Sequence, residues 1–506
     1  MKNIANGNGF VYQQNGENVE GFTSLLWTLI GSLLYKFTEH IHVVLIIFNL
    51  ALLFCMLRLY YIFFRKISEN YYLYFFSFTV ILIVSSGFLS WNIFSLLETC
   101  LWTVLINLIV IDILNTIYFQ KKQKNIFLIL VTLLIFTRPE ALLLSVYFVI
   151  CKTYFLCRDN KNQKILQTIV SLILPVIFAI ATLYSWRFYN FKVLFPNTYY
   201  AKVSGSIWQK IDFGISYNIL FFKENPLFFL ILVISTAYFI YCFFLKKISL
   251  SKIGGKFFLF STIIVSLCIP LMVGGDHFGL YRFMQPYIPL YILIIILIID
   301  SLNFKNYIPV TIIFAFVVFH ILSSRYNIFK IILKSEKNFP SRVEWDIAKS
   351  NRYQAKEING FFPSDKLPSL GLLAAGSYAY YYNGSSIDLL GLNNVKMAHA
   401  LKNPNGPKNH ASFNKAVFYQ QQPDIIVANI EFKAHKDLSS LRFINLGSWE
   451  SKLLDNIQDD EKFKELYANC VILNKNKNLV FKAYIKRQYI SRLLLIDDSN
   501  YYILQK

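Results

Sequence analysis

The chain has 506 residues, 55% of them hydrophobic, 17% aromatic and only 16% charged. A soluble domain of average make-up carries about 25% charged residues, and the apolar residues here come in unbroken runs such as 97–119, 226–245 and 285–299. Disordered, collagen-like and small disulfide-rich chains are thereby excluded, and the runs specify a polytopic helical membrane protein. The net charge of +21 does not point to nucleic acid, because much of the basic excess sits in short clusters between apolar runs. Arg65-Lys66, Lys121 to Lys124, Lys161 with Lys164, and Lys246-Lys247 read as topology determinants, with no basic stripe or finger beside them.

In chain order, residues 1–40 begin polar, with glycines at 7, 9, 16 and 21, and end moderately apolar. Met1 to Glu20 has no apolar core, so no signal peptide is expected. Residues 41–323 form the membrane domain, an all-α bundle with ten expected spans. These are 41–64, 71–89, 97–119, 125–137, 140–157, 165–188, 226–245, 257–273, 285–300 and 307–322. The 33-residue tract at 125–157 is split at Pro139. Residues 324–506 follow as a soluble mixed α/β domain. Leu370–Ala374, Ile387–Leu390 and Asp424–Val427 read as strands there, and Ser377–Tyr382 as a helix. Gly371 and Gly376 lack the Lys-Ser/Thr of a phosphate loop and read as a turn.

Orientation follows from loop charge. Loops 65–70, 120–124, 151–164, 246–256 and 301–306 gather fourteen basic residues against six in the opposite loops. The first set is therefore expected in the cytoplasm and the C-terminal domain in the periplasm, with 22–40 lying at the interface rather than crossing. Six of the seven cysteines lie in or beside apolar runs and only Cys470 in a polar region, so no disulfide framework is drawn. The seven histidines show no metal-binding spacing, no motif specifies a cofactor, and metal dependence is left open.

With that topology the unusual polar residues share the outer face: Glu20, Glu98, Arg138, Glu140, Asn197, Tyr200, Lys202, Asp276, His277 and Arg282. Ionisable groups beside membrane segments are costly unless paired or functional. Carboxylates with several cations at one mouth suit a phosphate-bearing substrate and a nucleophilic hydroxyl, the cations holding phosphate and a carboxylate taking the proton. Plainer readings stand beside this one. Arg138 and Glu140 also make sense as a helix-turn pair, and Lys202 as a solvated loop lysine. Asp276 also serves as a helix stop after two glycines, and Glu98 as a favourable charge at a helix N-terminus. Asp388 reads as a turn residue.

The ordered strings 15–27, Leu97-Glu-Thr99, Thr137-Arg-Pro-Glu140, Phe195 to Lys202, Gly274-Gly-Asp276 with Tyr281-Arg-Phe283, and Asp388-Leu-Leu-Gly391-Leu392 carry a resemblance. The chain resembles the terminal β-arabinofuranosyltransferases of actinobacterial cell walls and the LphB-type inner-membrane proteins, within the GT-C superfamily of glycosyltransferases. The likeness runs from about residue 3 to about residue 428. It implies a polyprenyl-phosphate sugar donor, a glycan or lipid-linked acceptor, membrane lipids around the protein, and inverting transfer at the periplasmic face of a bacterial inner membrane. It gives Arg138, Lys202 and Arg282 the lipid phosphate, and it gives the general base to a carboxylate of the first outer loop. Two departures stand out. The family's Ser-Gly-Leu-Glu reads Ser95-Leu96-Leu97-Glu98, losing a glycine. The family's first helix and its Asp-Asp motif have no counterpart, which leaves Asp276 and Glu20 as candidate catalytic carboxylates, with a reading frame extending upstream of Met1 as one expectation. A flippase for lipid-linked sugars and a catalytically inactive paralogue are the competing readings; the first would be expected to show internal repeats or broken helices with midplane polar sites, and the sequence shows neither.

Overall fold

The apolar runs become helices because a bilayer offers backbone N–H and C=O groups no partners other than their own. The computed structural model describes the chain apart from residues 15, 86, 122–123, 159–164, 203–205, 246–249, 303–306, 327–338, 404–405, 408, 428–431, 435–442, 475–478 and 498–500. Six described helices are long and apolar enough to cross a membrane: Ile41–Ile67, Thr99–Phe119, Ala141–Arg158, Ile165–Phe191, Pro226–Phe244 and Ile253–Val273. A seventh is counted if Tyr71–Val84 and Phe88–Phe94, bent by 73° at their junction, form one span. The break falls at Gly87, whose φ is +66° and whose missing Cβ would lie 2.6 Å from the Leu280 methyl carbons.

The chain is thus a multi-pass membrane protein; among the described residues six or seven helices are of full crossing length, where ten spans were expected. The expected spans at 125–137, 285–300 and 307–322 correspond to Asn125–Ile135, Gln285–Ser301 and Ile308–Ser323, all in the 10–17-residue class. A full crossing prefers about 20 residues. The segment expected at the interface is the 11-residue helix Leu25–Tyr35, started by Ser24, whose hydroxyl accepts the Trp27 N–H. Loop charge is altered at one place. Lys152, counted among the loop cations, is buried within Ala141–Arg158 and paired with Asp112 at 2.7 Å. Lys122, Lys161, Lys164, Lys246, Lys247 and Lys305 lie outside the described residues.

Two compact units form, and neither is one continuous stretch. The first holds Met1, Thr23–Trp186 and Ser206–Glu344; the second holds Lys2–Phe22, Arg187–Gly205 and Trp345–Lys506. In the first unit every residue from Ile288 to Ile299 is buried, as a helix apolar on all sides requires. The second unit contains a mixed sheet built from β1 (Leu370–Leu372), β2 (Ser386–Asp388), β3 (Ile425–Val427), β4 (Phe432–Ala434), β5 (Tyr467–Asn474), β6 (Leu479–Lys486) and β7 (Tyr501–Gln505). Their order is β2-β1-β3-β6-β5-β7, with β4 also pairing β6. β1 runs parallel to β2 and β3, while β6, β5 and β7 pair antiparallel. Every residue of β5 is buried, which explains why Tyr-Ala-Asn-Cys-Val-Ile-Leu-Asn lacks the in–out alternation of a half-exposed strand. The strands expected at 370, 387 and 424 form close to those positions. The antiparallel half and the helix Pro340–Phe361 were not anticipated.

Candidate functional site

In the first unit, three separate stretches of chain bring five of the predicted residues together. Glu98 occupies the N-cap of Thr99–Phe119, and Arg138 and Glu140 fill the turn before Ala141–Arg158. The Arg138 guanidinium donates to Glu98 Oε1, and by Nε and Nη2 to the two Glu140 oxygens at 3.0 and 3.2 Å. It lies between two rings, 4.9 Å from the centroids of both Trp102 and Phe283. Such a fork suits arginine and no other cation. Burial works against the ionised forms here, but the paired charges outweigh it. The Glu140 carboxyl is held below its ordinary value by Arg138, and Arg138 is held above its own by Glu140 and Glu98.

The third stretch begins where Leu250–Val273 ends. Gly274 and Gly275, at φ +82° and +70°, turn both N–H groups back to Pro270 O at 2.8 and 3.1 Å. The Tyr217 ring lies 2.7 Å from where a Gly275 Cβ would stand, so this turn needs glycine for space as well as for its backbone angles. The turn delivers Asp276, which accepts the Phe278 N–H at 3.2 Å and Arg282 Nε at 2.6 Å. Burial pushes the Asp276 carboxyl up, and the charges of Arg282 and Arg138 offset part of the rise. Arg282 shares the Phe283 ring with Arg138. Three carboxylates and two guanidiniums therefore form one cluster, and among the described residues the terminal nitrogens of Arg282 have no hydrogen-bond partner.

Two features mark this cluster as more than a pair of salt bridges. Leu96 and Tyr281 both hold left-handed backbone, at φ +55° and +51°, a conformation that costs a residue with a Cβ about 1–2 kcal/mol. The Leu96 carbonyl accepts Trp27 Nε1 at 3.0 Å. Among the described residues, buried polar atoms nearby also stand without protein partners: Thr99 Oγ1, Trp102 Nε1, Gln285 Oε1 and the Tyr287 hydroxyl. Such atoms cost stability unless water or a ligand meets them. Trp102 adjoins Arg138, and Tyr287 feels the charges of Glu140 and Arg138. Sequence reading missed these four, because an aromatic or threonine within an apolar run looks like core.

No family model, curated protein or solved structure matches the chain.

The remaining predicted residues divide. His277 is exposed and stacks on Phe278 at 4.2 Å. Glu20, Asn197, Tyr200 and Lys202 belong to the second unit. Glu20 is fully buried and accepts Arg187 Nε with both oxygens, at 3.1 and 2.9 Å. Burial outweighs that pairing and brings its carboxyl up to about 7. Asn197 donates to the carbonyls of Gly391 and Leu392 at 2.7 and 3.0 Å, so it holds a loop rather than facing an open site. That loop is organised by Asp388, which accepts the N–H groups of Leu390, Gly391 and Asn393, in keeping with a turn residue. Tyr200 packs on His399 at 4.2 Å. Among the described residues no group of three His, Cys, Asp or Glu side chains is placed to hold a metal ion.

Proposed function

We propose that the chain is an integral-membrane glycosyltransferase that moves a sugar from a polyprenyl-phosphate donor to an envelope glycan, lipopolysaccharide or cell-wall polysaccharide, with inversion. The observation that carries this reading is the gathering of Glu98, Arg138, Glu140, Asp276 and Arg282 into one buried cluster at the ends of apolar helices. Charges at such positions are expensive, and here they adjoin strained backbone and unpaired polar atoms, features that collect at functional sites. In the reaction the acceptor hydroxyl gives its proton to a carboxylate while its oxygen attacks the anomeric carbon. The bond from that carbon to the lipid phosphate oxygen breaks, and its electron pair leaves with the phosphate. Asp276 suits the proton, because burial moves it toward the working range of a base. Arg282 suits the phosphate, because Asp276 engages only its Nε. Arg138, committed to two carboxylates, suits positioning. Glu20, locked to Arg187, is better read as structural.

In this reading the short helices complete ten membrane segments in a bacterial inner membrane, and the C-terminal domain is periplasmic. Leu401, exposed in the second unit, tests the orientation: Leu401→Cys should react with a membrane-impermeant maleimide in spheroplasts, and protection until lysis refutes it. Activity is tested with radiolabelled polyprenyl-phosphate sugars and membranes containing the full chain. Asp276→Asn also breaks the buried pair with Arg282, so transfer is compared at a temperature where the variant is folded, and there it should fall at least a hundredfold. Undiminished transfer removes Asp276 from the chemistry, and no transfer by folded wild-type protein from pentose or hexose donors refutes the activity.

A further inference from the structure

One face of the helix Pro340–Phe361 is built of cations and a ring. Trp345, Lys349, Arg352 and Lys356 follow one another at spacings of four, three and four, which lines them up on one side of the helix. All four are exposed, whereas Ala355, Ile358 and Phe361 turn into the core of the second unit. Two tyrosines extend the row sideways. The Arg352 guanidinium lies 4.8 Å from the centroid of the Tyr381 ring, and Lys356 Nζ lies 5.6 Å from it. Tyr380 meets Tyr381 edge-on at 4.8 Å, and Lys2 Nζ stands 5.1 Å from the Tyr380 centroid. Asn359 fixes this arrangement, donating to Tyr381 O at 2.8 Å and accepting the Asn383 N–H at 2.9 Å.

None of these cations answers an acid of the protein itself. Among the described residues Lys2, Lys349, Arg352 and Lys356 have no carboxylate partner, whereas Lys464 and Arg492 of the same unit do. Like charges three and four residues apart on a helix repel, so the row weakens its own helix until an anion meets it. The cover must take apolar surface as well. Trp345, Ile347 and Tyr353 are 39%, 46% and 58% exposed on the same length of helix. An acidic polymer in solution offers charge without an apolar layer. The boundary of an anionic bilayer offers both, since Lys and Arg stems reach up to the headgroups while Trp and Tyr settle at the boundary. That surface is also within reach of the chain. The long apolar helices of the first unit anchor the protein in a bilayer, and the apolar helix Tyr307–Ser323 ends shortly before Pro340. A tethered surface meets its partner at high effective concentration, so a few cations suffice.

We propose that the row from Trp345 to Lys356, with Lys2 and the Tyr380–Tyr381 pair, docks on the surface of an anionic bilayer and reads its net charge rather than any one headgroup. The proposal concerns docking alone and stands whether or not the chain transfers sugar.

The test uses the full chain in nanodiscs, read by hydrogen exchange across 345–356. Discs of phosphatidylcholine are compared with discs containing phosphatidylglycerol; both lipids carry phosphate, but only the second carries net charge. Exchange should be at least fivefold slower in the charged discs, and the difference should vanish at about 1 M salt, where the screening length falls to about 3 Å. Discs charged with a fatty-acid carboxylate instead should protect equally. The triple variant Lys349→Gln, Arg352→Gln, Lys356→Gln should lose the difference, and Lys349→Arg with Lys356→Arg should keep it. Lys396→Gln, at an exposed cation elsewhere in the unit, should change nothing. The replaced side chains are exposed, and unchanged exchange across the buried strand β5 shows that each variant is folded. Equal exchange in neutral and charged discs, or a difference that survives in the triple variant, would overturn the docking. Protection by phosphatidylglycerol alone would overturn the reading of net charge. Equal protection in neutral discs by added dextran sulfate would overturn the bilayer and assign the row to a soluble polyanion.

Discussion

Replacing Arg138 by methionine keeps a long side chain between Trp102 and Phe283 but leaves Glu98 and Glu140 without their cation. Breaking a buried ion pair from one side costs about 3–5 kcal/mol, because the stranded charge remains desolvated. Two stranded carboxylates place Arg138→Met at the upper end, and loss of the two ring contacts adds about 1–2 kcal/mol. Protonation limits the damage. With Arg138 gone, burial raises the Glu140 carboxyl against only the weaker pulls of the Arg282 charge and a backbone N–H, and a carboxyl neutralised at pH 7 costs about 1.4 kcal/mol for each unit its pKa has risen. A net loss of about 5 kcal/mol corresponds, for a chain of 506 residues, to a melting temperature lower by roughly 5 °C. The sign with pH follows. In the wild type, Glu140 is held low, so its contribution is present above its ordinary value and is lost as pH falls below it. In Arg138→Met the same group is raised, so stability falls as pH climbs. The gap between the two proteins should therefore widen from pH 5 to pH 8, as read by differential scanning fluorimetry in detergent. Adding Glu98→Gln to Arg138→Met should restore at least about 2 kcal/mol, since residues sharing a buried charge pair are not additive. A pH-independent gap with additive double-variant behaviour would refute the view that these groups act as one unit.

Three further outcomes are expected. Leu96→Gly relieves left-handed backbone at φ +55° and should raise stability by about 1 kcal/mol; a loss of that size by thermal unfolding would show that Leu96 packing outweighs the strain. The buried Glu20, at about 7 in the folded chain against 4.5 ordinarily, still holds its proton where the unfolded chain has released it. Stability should therefore fall by about 3 kcal/mol as pH rises from roughly 4.5 to 7, and denaturant titrations of Glu20→Gln should lack that slope; an unchanged slope contradicts the assignment. Asn197→Ala removes two donors from the Gly391 and Leu392 carbonyls and should cost about 2–3 kcal/mol, with faster hydrogen exchange across 388–394. Asn197→Asp, which sets a carboxylate against those carbonyls, should be worse; equal behaviour of the two variants would contradict the hydrogen-bond assignment.

The membrane class was legible in the sequence because long apolar runs admit only one solution in lipid. The motif order likewise singled out Glu98, Arg138, Glu140, Asp276 and Arg282, since a charge beside an apolar run is visible in one dimension. Span number was less legible. Hydropathy cannot see that Gly87 bends a run by 73°, or that Asn125–Ile135 stops after 11 residues. Lys152 shows the same blindness, reading as a loop cation although Asp112 holds it inside a helix. Partnership was decided by the tertiary structure alone. Glu20 and Asp276 look alike as acidic residues beside a glycine, yet Glu20 is closed off by Arg187 while Asp276 joins a cluster with spare donors. Arg187 drew no notice in the sequence for the same reason: it ends an apolar run. The properties of a buried charge depend on its desolvation and on the charges within a few ångströms of it. Those neighbours come from residues far apart in the chain, 167 positions for Glu20 and Arg187, and only folding brings them together.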